Sequence, residues 1–187
     1  MRFYQAVPDK NLIVDHIVKW IVDIVVVFVL ALFVMHFFGT KVSVVGNSMS
    51  EELVNNDQVL INTLIYRLRE PKRMDVIAFS KTDTNQNSTS YIKRIIGLPG
   101  ETIQIKEGYI YINGELWNHS FNDGTIVNAG LASNVVNLAK NEYFVIGDKP
   151  NNSEDSRAAT IGTVKKNEIK GTVWLIIEPF VRIGLVD

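Results

Sequence analysis

The 187-residue sequence contains no cysteine. A disulfide-stapled scaffold, a thiol nucleophile and a cysteine-ligated zinc site are therefore excluded. Histidine is scarce too, and its 3 residues are scattered, so a histidine-rich metal site and a Ser-His-Asp triad are both disfavoured. The chain has 19 lysines and arginines against 20 aspartates and glutamates. Without a basic surplus it does not resemble a nucleic-acid-binding protein, because such proteins neutralise phosphates with lysine and arginine.

Apolar residues are concentrated near the N-terminus. Residues 24–40 read IVVVFVLALFVMHFFGT and carry no formal charge when His36 is neutral. A helix needs about 20 mainly apolar residues to cross a bilayer. Extending the run to residue 17 gives this length and adds two charged residues, Lys19 and Asp23, which are spaced to pair on one helix face. We predict a transmembrane anchor over residues 17–40. A cleaved signal peptide and a buried core helix are the alternatives, and no small-x-small cleavage pattern follows the run.

The charges that flank this run predict its orientation. The basic residues Arg2, Lys10 and Lys19 come before the uncharged run, whereas the charged residues that follow it are mostly acidic. By the positive-inside rule, we expect residues 1–16 to form a short cytoplasmic segment. Residues 41–187 would then form an extracytoplasmic domain, and the protein would be a single-pass protein of the cell membrane.

Beyond the anchor, the hydrophobic pattern changes to the two-residue period of β-strands. Short strands are predicted over residues 57–66, 74–79, 91–96, 102–105, 109–117, 143–146 and 172–177. Asn113-Gly114 lies between alternating residues, which is a strong signal for a hairpin turn. The polar segments 83–90 and 118–141 are predicted to be loops. We therefore predict a mainly β domain after one helix.

Three polar clusters interrupt these strands. They are residues 46–49, which read GNSM, Lys93 within an apolar strand, and residues 147–157. Each alone is typical of a turn or a solvated strand face. On a strand, Lys93 and Arg94 point to opposite faces, and the periodicity leaves open which face is buried. If Lys93 points inward, desolvation lowers its pKa, and the neutral amine can take a proton from a hydroxyl.

In this order the clusters resemble the sequence boxes of the bacterial type I signal peptidases, particularly the Gram-positive enzymes. The family box S-M-x-P-T-L corresponds to SMSEEL at residues 48–53, and a G-D-V-V-V-F-type strand to MDVIAF at residues 74–79. The lysine box K-R-V-I-G-L-P-G-D corresponds to KRIIGLPGE at residues 93–101. The box G-D-N-R-x-N-S-x-D-S-R corresponds to GDKPNNSEDSR at residues 147–157. The resemblance extends over nearly the whole chain.

The resemblance implies a membrane-bound serine endopeptidase with a β-barrel-like catalytic domain and no metal or organic cofactor. Such an enzyme removes N-terminal signal peptides from exported preproteins. Ser48 would be the nucleophile and Lys93 its general base. The Ser48 backbone N–H would contribute to the oxyanion hole. Gly46 stands where many relatives carry a second, hydroxyl donor, and glycine is frequent there in Gram-positive members.

The last box implies the residues that support this dyad. Ser153 would donate a hydrogen bond that orients the Lys93 amine. Asp155 and Arg157 would form an ion pair that braces the active-site loop. Asp148 would lie nearby.

The resemblance also implies how substrate binds. A signal peptide would lie extended beside the nucleophile strand and the lysine strand. Its small side chains at the first and third positions before the cut would fill two shallow apolar pockets. The expected pocket walls are Val42, Val44, Met49, Leu53, Tyr91 and Ile92. The expected partners are signal peptides of secreted preproteins and the lipid bilayer, with no nucleic acid.

Two departures from the family boxes suggest an alternative function. Glu51-Glu52 replaces Pro-Thr, and Lys149-Pro150 replaces Asn-Arg. Carboxylates near Lys93 would favour its ammonium form and oppose its action as a base. Such changes fit a divergent, pilin-associated paralogue. The alternative is thus a weakly active or non-catalytic accessory protein that handles pilin subunits, and a single-pass β-domain adhesin is a third possibility. Retention of both dyad residues favours an active peptidase.

Overall fold

The computed structural model describes residues 10–50, 52–82, 88–118 and 125–186, with backbone alone for residues 10–13, 82 and 88. Within these ranges, a long helix α1 (Lys10–Phe38) precedes a β-domain that includes one short helix, α2 (Ile65–Leu68). The strands are β1 (Thr40–Ser43), β2 (Gln58–Asn62), β3 (Val76–Thr82), β4 (Ser88–Gly97), β5 (Thr102–Lys106), β6 (Tyr109–Ile112), β7 (Glu115–Leu116), β8 (Val136–Asn137), β9 (Glu142–Ile146), β10 (Val164–Lys165), β11 (Ile169–Glu178) and β12 (Gly184–Leu185). The predicted mainly β fold after one apolar helix is confirmed.

Helix α1 has the length and composition of a membrane span over Val14–Phe38. Its 25 residues extend about 38 Å at the rise of an α-helix, which exceeds a bilayer core of about 30 Å. None of this segment is buried against the β-domain. The alternative of a buried core helix is therefore wrong. A helix with apolar side chains on all sides is stable where lipid covers them.

The β-domain consists of two antiparallel sheets. The larger has the strand order β1-β2-β11-β3-β4-β9-β10, with β12 paired to β11, and the smaller has the order β7-β6-β5-β8. The predicted hairpin turn is confirmed, because Asn113 and Gly114 separate β6 from β7 with φ values of 53° and 83°. Both positive φ values are those of a type I′ turn. The predicted loop 83–90 is too long, since β4 begins at Ser88 and its first residues pair with β3.

Strand β1 and the first half of β4 each have one unpaired edge within the described chain. Strand β1 pairs with β2 alone. Strand β4 pairs with β3 from Ser88 to Arg94, but its pairing with β9 begins only at Arg94. The first half of β4 therefore leaves backbone groups free on one side. Such edges accept an added strand.

Aliphatic side chains hold the segment after β1 onto the larger sheet. This part of the core consists of Val44, Met49, Leu53, Val59, Ile61, Val76, Ala78, Val173 and Ile176. Met49 is 2% exposed and Leu53 is fully buried. Burial of each such side chain stabilises the fold by about 1.5–3 kcal/mol. These two anchors fix the turn that begins at Ser48.

Candidate active site

Ser48 begins a tight turn after β1. The backbone N–H groups of Glu52 and Leu53 both donate to the Met49 carbonyl, at 3.1 and 2.7 Å. Just before the turn, Gly46 adopts a φ of 90°, in the left-handed region that favours glycine. Its N–H donates to Asn55 Oδ1 at 2.8 Å. The backbone path into the turn thus favours glycine at this position.

Lys93 approaches Ser48 from strand β4. Its Nζ lies 2.5 Å from Ser48 Oγ, and the two groups are hydrogen-bonded. Lys93 is 5% exposed, and burial lowers its pKa because the ammonium form loses hydration. The negative charges of Asp155, Glu154 and Asp148 oppose this shift without cancelling it. The arrangement therefore favours a neutral amine beside a hydroxyl.

Arg94, the next residue of β4, is buried as well, at 8% exposure. Its Nε and Nη2 donate to the two carboxylate oxygens of Asp148 at 2.7 and 2.8 Å, and Nη2 also donates to Glu52 Oε2 at 2.5 Å. Sequence reasoning left the buried face of β4 undecided and missed this network. The one sequence feature that pointed to this network was the position of Arg94 directly after Lys93. The expected position of Asp148 near the dyad is thereby explained, since it binds the neighbour of Lys93.

Glu52 does not act as the sequence suggested. Its carboxylate forms an ion pair with Arg94, and it is not among the charges that shift the pKa of Lys93. Glu52 therefore links the nucleophile turn to the lysine strand. Glu51 lies outside the described residues.

The nucleophile turn is also held by Arg182, near the C-terminus. Arg182 donates hydrogen bonds to the Glu52 carbonyl at 2.8 Å and to the buried carboxylate of Asp57.

Asp155 is the centre of the loop that follows β9. It is fully buried and accepts hydrogen bonds from Arg157 Nε at 2.8 Å and Nη2 at 2.9 Å, and from the Gly147 N–H at 3.2 Å. The structure thus contains the expected ion pair. Arg157 lowers the pKa of Lys93 while Asp155 raises it. Desolvation is the largest influence on the pKa of Lys93, and the charges of Asp155 and Arg157 act on that pKa in opposite directions.

Ser153 differs from its expected role. Its hydroxyl donates to Asp155 Oδ2 at 2.7 Å, and among the residues described no hydrogen bond joins it to Lys93. A hydroxyl has a single proton, and the buried carboxylate is the stronger acceptor. The predicted donation from Ser153 to the Lys93 amine is therefore not found. Ser153 instead orients Asp155.

The nucleophile turn and the loop after β9 are in direct contact. The Lys149 N–H donates to the Ser48 carbonyl at 3.0 Å. A Cβ on Gly147 would lie 2.4 Å from Ser153 Oγ and 2.6 Å from the Ser48 carbonyl oxygen, so only glycine fits there. Pro150 is buried, and its carbonyl accepts from Arg157 Nη2 at 2.5 Å. The loop thus keeps these contacts although Lys149 and Pro150 replace the Asn and Arg of the family box.

A cleft of about 210 Å³ opens beside the dyad, between β1 and the first half of β4. Five of the predicted pocket residues line it: Val42, Val44, Met49, Tyr91 and Ile92. Leu53 does not, because its side chain is fully buried in the core. Sequence reasoning missed the other lining residues, Ser43, Val45, Ile61, Ala78, Ser90 and Lys170. Ile61, Ala78 and Lys170 come from β2, β3 and β11, whose approach to the cleft depends on the sheet order.

Comparison with known proteins identifies the family. The family model for signal peptidase, peptidase S26, matches residues 17–178. The chain belongs to the signal peptidase S26 family. It is 30% identical over 176 residues to signal peptidase I P of Bacillus subtilis subsp. natto, covering 90% of this chain and 93% of that protein. It is 33% identical over 172 residues to signal peptidase I S of Bacillus subtilis strain 168, covering 88% and 90%.

Among solved structures, a signal peptidase I from Enterococcus faecalis V583 is 31% identical, with a TM-score of 0.41 over 56% of this chain and 97% of that one. The S26 match contains the Ser48 turn, the Lys93 strand and the loop after β9. Arg182, which holds the nucleophile turn from the C-terminal side, lies beyond the matched residues. In this signal peptidase family member, the Ser48 turn contacts both the Lys93 strand and the loop after β9, and a helix with the length and composition of a membrane span precedes them.

Proposed function

We propose that this chain is an active signal peptidase I, which removes N-terminal signal peptides from exported preproteins. The observation that carries the proposal is a buried lysine amine 2.5 Å from a serine hydroxyl. A nucleophile within hydrogen-bond distance of a base is the arrangement required for covalent catalysis. Family membership supplies the substrate class, the signal peptide.

The reaction follows from the dyad. The neutral Lys93 amine takes the proton of Ser48 Oγ as the oxygen attacks the scissile carbonyl carbon. The resulting ammonium protonates the departing amine, which leaves an acyl ester on Ser48. Lys93 then takes a proton from water as the water oxygen attacks the ester carbon. The ammonium returns that proton to Ser48 Oγ as the ester bond breaks, which releases the signal peptide with a free carboxyl end and restores the hydroxyl. An unperturbed lysine would be neutral in on the order of 1 in 2,500 molecules at pH 7, so the burial of Lys93 is essential to this role.

The oxyanion would be stabilised by the backbone of the nucleophile turn. Within the described part of the chain, the Ser48 N–H has no hydrogen-bond partner, which leaves it available for the developing charge. The Gly46 N–H is already bound to Asn55. A preorganised donor aimed at the oxyanion contributes about 2.7–4 kcal/mol to transition-state stabilisation. The Ser48 N–H is thus the donor that we assign.

Substrate would enter as an added strand. The cleft lies between the unpaired edges of β1 and β4, so an extended peptide can hydrogen-bond to either edge. The apolar walls and the small volume of the cleft suit small side chains at the first and third positions before the cut. The lipid bilayer that holds the signal peptide would also hold helix α1.

Cleavage of a preprotein tests the proposal. The purified full-length chain in detergent is mixed with a signal-peptide-bearing preprotein, and the product N-terminus is determined by mass spectrometry. We expect one cut after a small residue by the parent enzyme and none by the Ser48→Ala variant. A folded parent that cleaves no preprotein would instead favour the accessory role with pilin subunits.

The pH dependence of cleavage tests the lysine base. We expect the rate to rise with pH along a limb below 10.5, the ordinary pKa of lysine, because burial lowers the pKa of Lys93. Glu52→Thr should leave this limb in place, because the Glu52 carboxylate is paired with Arg94. Glu154→Gln should move it to lower pH, because Glu154 favours the ammonium form. Cleavage rates measured across the pH range for the parent, Glu52→Thr and Glu154→Gln proteins give the position of the rising limb in each. A parent profile without a rising limb would exclude Lys93 as the base.

Thiol labelling tests the membrane orientation, since the chain has no native cysteine. Ser133→Cys places a thiol at an exposed position of the β-domain, and Gln5→Cys places one before the helix. In intact cells, we expect a membrane-impermeant maleimide to label the Ser133→Cys protein, and to label the Gln5→Cys protein only after lysis. The reverse pattern would show that the β-domain faces the cytoplasm.

A further inference from the structure

The cleft contains a second lysine that the catalytic proposal does not use. Lys170 lies on β11 and lines the cleft together with Ser48 and Lys93. Its Nζ donates to Ser90 Oγ at 2.8 Å. Among the residues described, no carboxylate lies within ion-pair distance of Lys170. The positive charge of Lys170 can therefore interact with a substrate bound in the cleft.

A β-bulge directs Lys170 toward the cleft. Ile169 and Gly171 of β11 pair with Phe79 and Ala78, which are adjacent on β3, so Lys170 is the extra residue between them. A bulge of this kind changes the direction of a side chain relative to the regular ladder. Gly171 cannot be replaced readily, because a Cβ there would lie 2.3 Å from the Asn62 carbonyl oxygen. The position of Lys170 is thus built into the sheet.

The strand register gives the distance from Lys170 to the cutting point. Ser90 precedes Lys93 by three residues on β4, which corresponds to about 10 Å along an extended strand. A substrate strand beside β4 has the same rise per residue. The Lys170 ammonium, bound at Ser90, therefore lies about three to four substrate residues from the dyad. The residues before the cut occupy this cleft in the proposed function, so Lys170 lies on their side.

The charges of the cleft suit an acidic substrate residue. The described lining residues include two lysines and no aspartate or glutamate. Lys93 must be neutral to act as a base, so Lys170 supplies the permanent charge. It attracts a carboxylate on the substrate and repels a lysine or arginine. The third residue before the cut is confined to a small apolar pocket, which leaves the fourth free to carry a charge.

We propose that Lys170 selects substrates by charge, favouring aspartate or glutamate at the fourth residue before the cut and disfavouring lysine or arginine there. This inference rests on the proposed function and refines its substrate class. It concerns only recognition, since Lys170 is separated from the reacting atoms by about three residues of β4.

Three peptides test the inference. They share one signal-peptide cleavage sequence and carry glutamate, glutamine or lysine at the fourth residue before the cut. For the full-length enzyme in low salt, we expect kcat/KM to be about threefold to tenfold higher for the glutamate peptide than for the lysine peptide, with glutamine between them. The ratio should decrease as salt is added, because the charges are exposed to solvent.

Enzyme variants assign the preference to Lys170. In Lys170→Gln the glutamate-to-lysine ratio should approach one, and in Lys170→Glu it should invert. Lys140→Glu changes the same charge at an exposed position that does not line the cleft, and should keep the parent ratio. A preference that persists in Lys170→Glu would overturn the inference. A parent that cleaves all three peptides equally would overturn this inference alone, whereas a parent that cleaves none would overturn the proposed function with it.

Discussion

Replacement of either member of the dyad is expected to abolish cleavage. Ser48→Ala removes the attacking oxygen, and Lys93→Ala removes the base 2.5 Å away. Each should reduce kcat by about four orders of magnitude or more, and the double variant should be no worse than either single one, because the two groups act as a unit. Lys93→Arg should not restore activity, since a guanidinium stays protonated. Single-turnover cleavage of a preprotein measures all four variants.

Matched controls separate the dyad from ordinary surface residues. Ser133→Ala and Lys41→Ala change the same residue types at exposed positions outside the cleft. Both should cleave at the parent rate. Circular dichroism of each variant would verify that the β-domain is folded. Substantial turnover by a folded Ser48→Ala or Lys93→Ala protein would contradict the mechanism.

Loss of the Asp155 carboxylate is expected to have the second large effect. Asp155 is fully buried, binds the Arg157 guanidinium through both oxygens and accepts the Ser153 hydroxyl. Asp155→Ala would leave Arg157 charged and buried, with only the backbone carbonyls of Pro150, Asn128 and Ser153 as side-chain hydrogen-bond acceptors among the described residues. Breaking a buried ion pair in this way costs about 3–5 kcal/mol in the free energy of unfolding. Cleavage should fall as well, because this loop contacts the Ser48 turn.

Denaturant unfolding followed by circular dichroism measures this cost. Glu154→Ala is the control, since Glu154 is the exposed neighbour of Asp155 and binds only Thr160 among the described residues. It should change the free energy of unfolding by less than about 0.5 kcal/mol. Asp155→Asn keeps the shape of the side chain but removes its charge. Its free energy of unfolding should lie between those of the Asp155→Ala and Glu154→Ala proteins. Equal stability of the Asp155→Ala and Glu154→Ala proteins would show that the buried pair has no structural role.

Local patterns were sufficient for most of the fold. The apolar run at the N-terminus predicted the long helix, because no formal charge interrupts residues 24–40 when His36 is neutral. The alternating segments predicted strands, and Asn113-Gly114 predicted a two-residue turn because both positions must adopt positive φ. The first residues of β4 were missed, since Ser88, Thr89 and Ser90 read as a polar loop and become a strand only by pairing with β3.

The motifs were enough to identify the candidate site residues and their order along the chain. The partners of these residues could be assigned only from the folded structure. Strand alternation places Lys93 and Arg94 on opposite faces but does not say what covers each face, and both are buried here. Glu52, expected to act on Lys93, is paired with Arg94 instead. Lys170 reaches the cleft because a bulge and the strand order bring β11 beside β3. These contacts join residues far apart in the chain, where local periodicity carries no information about which elements meet.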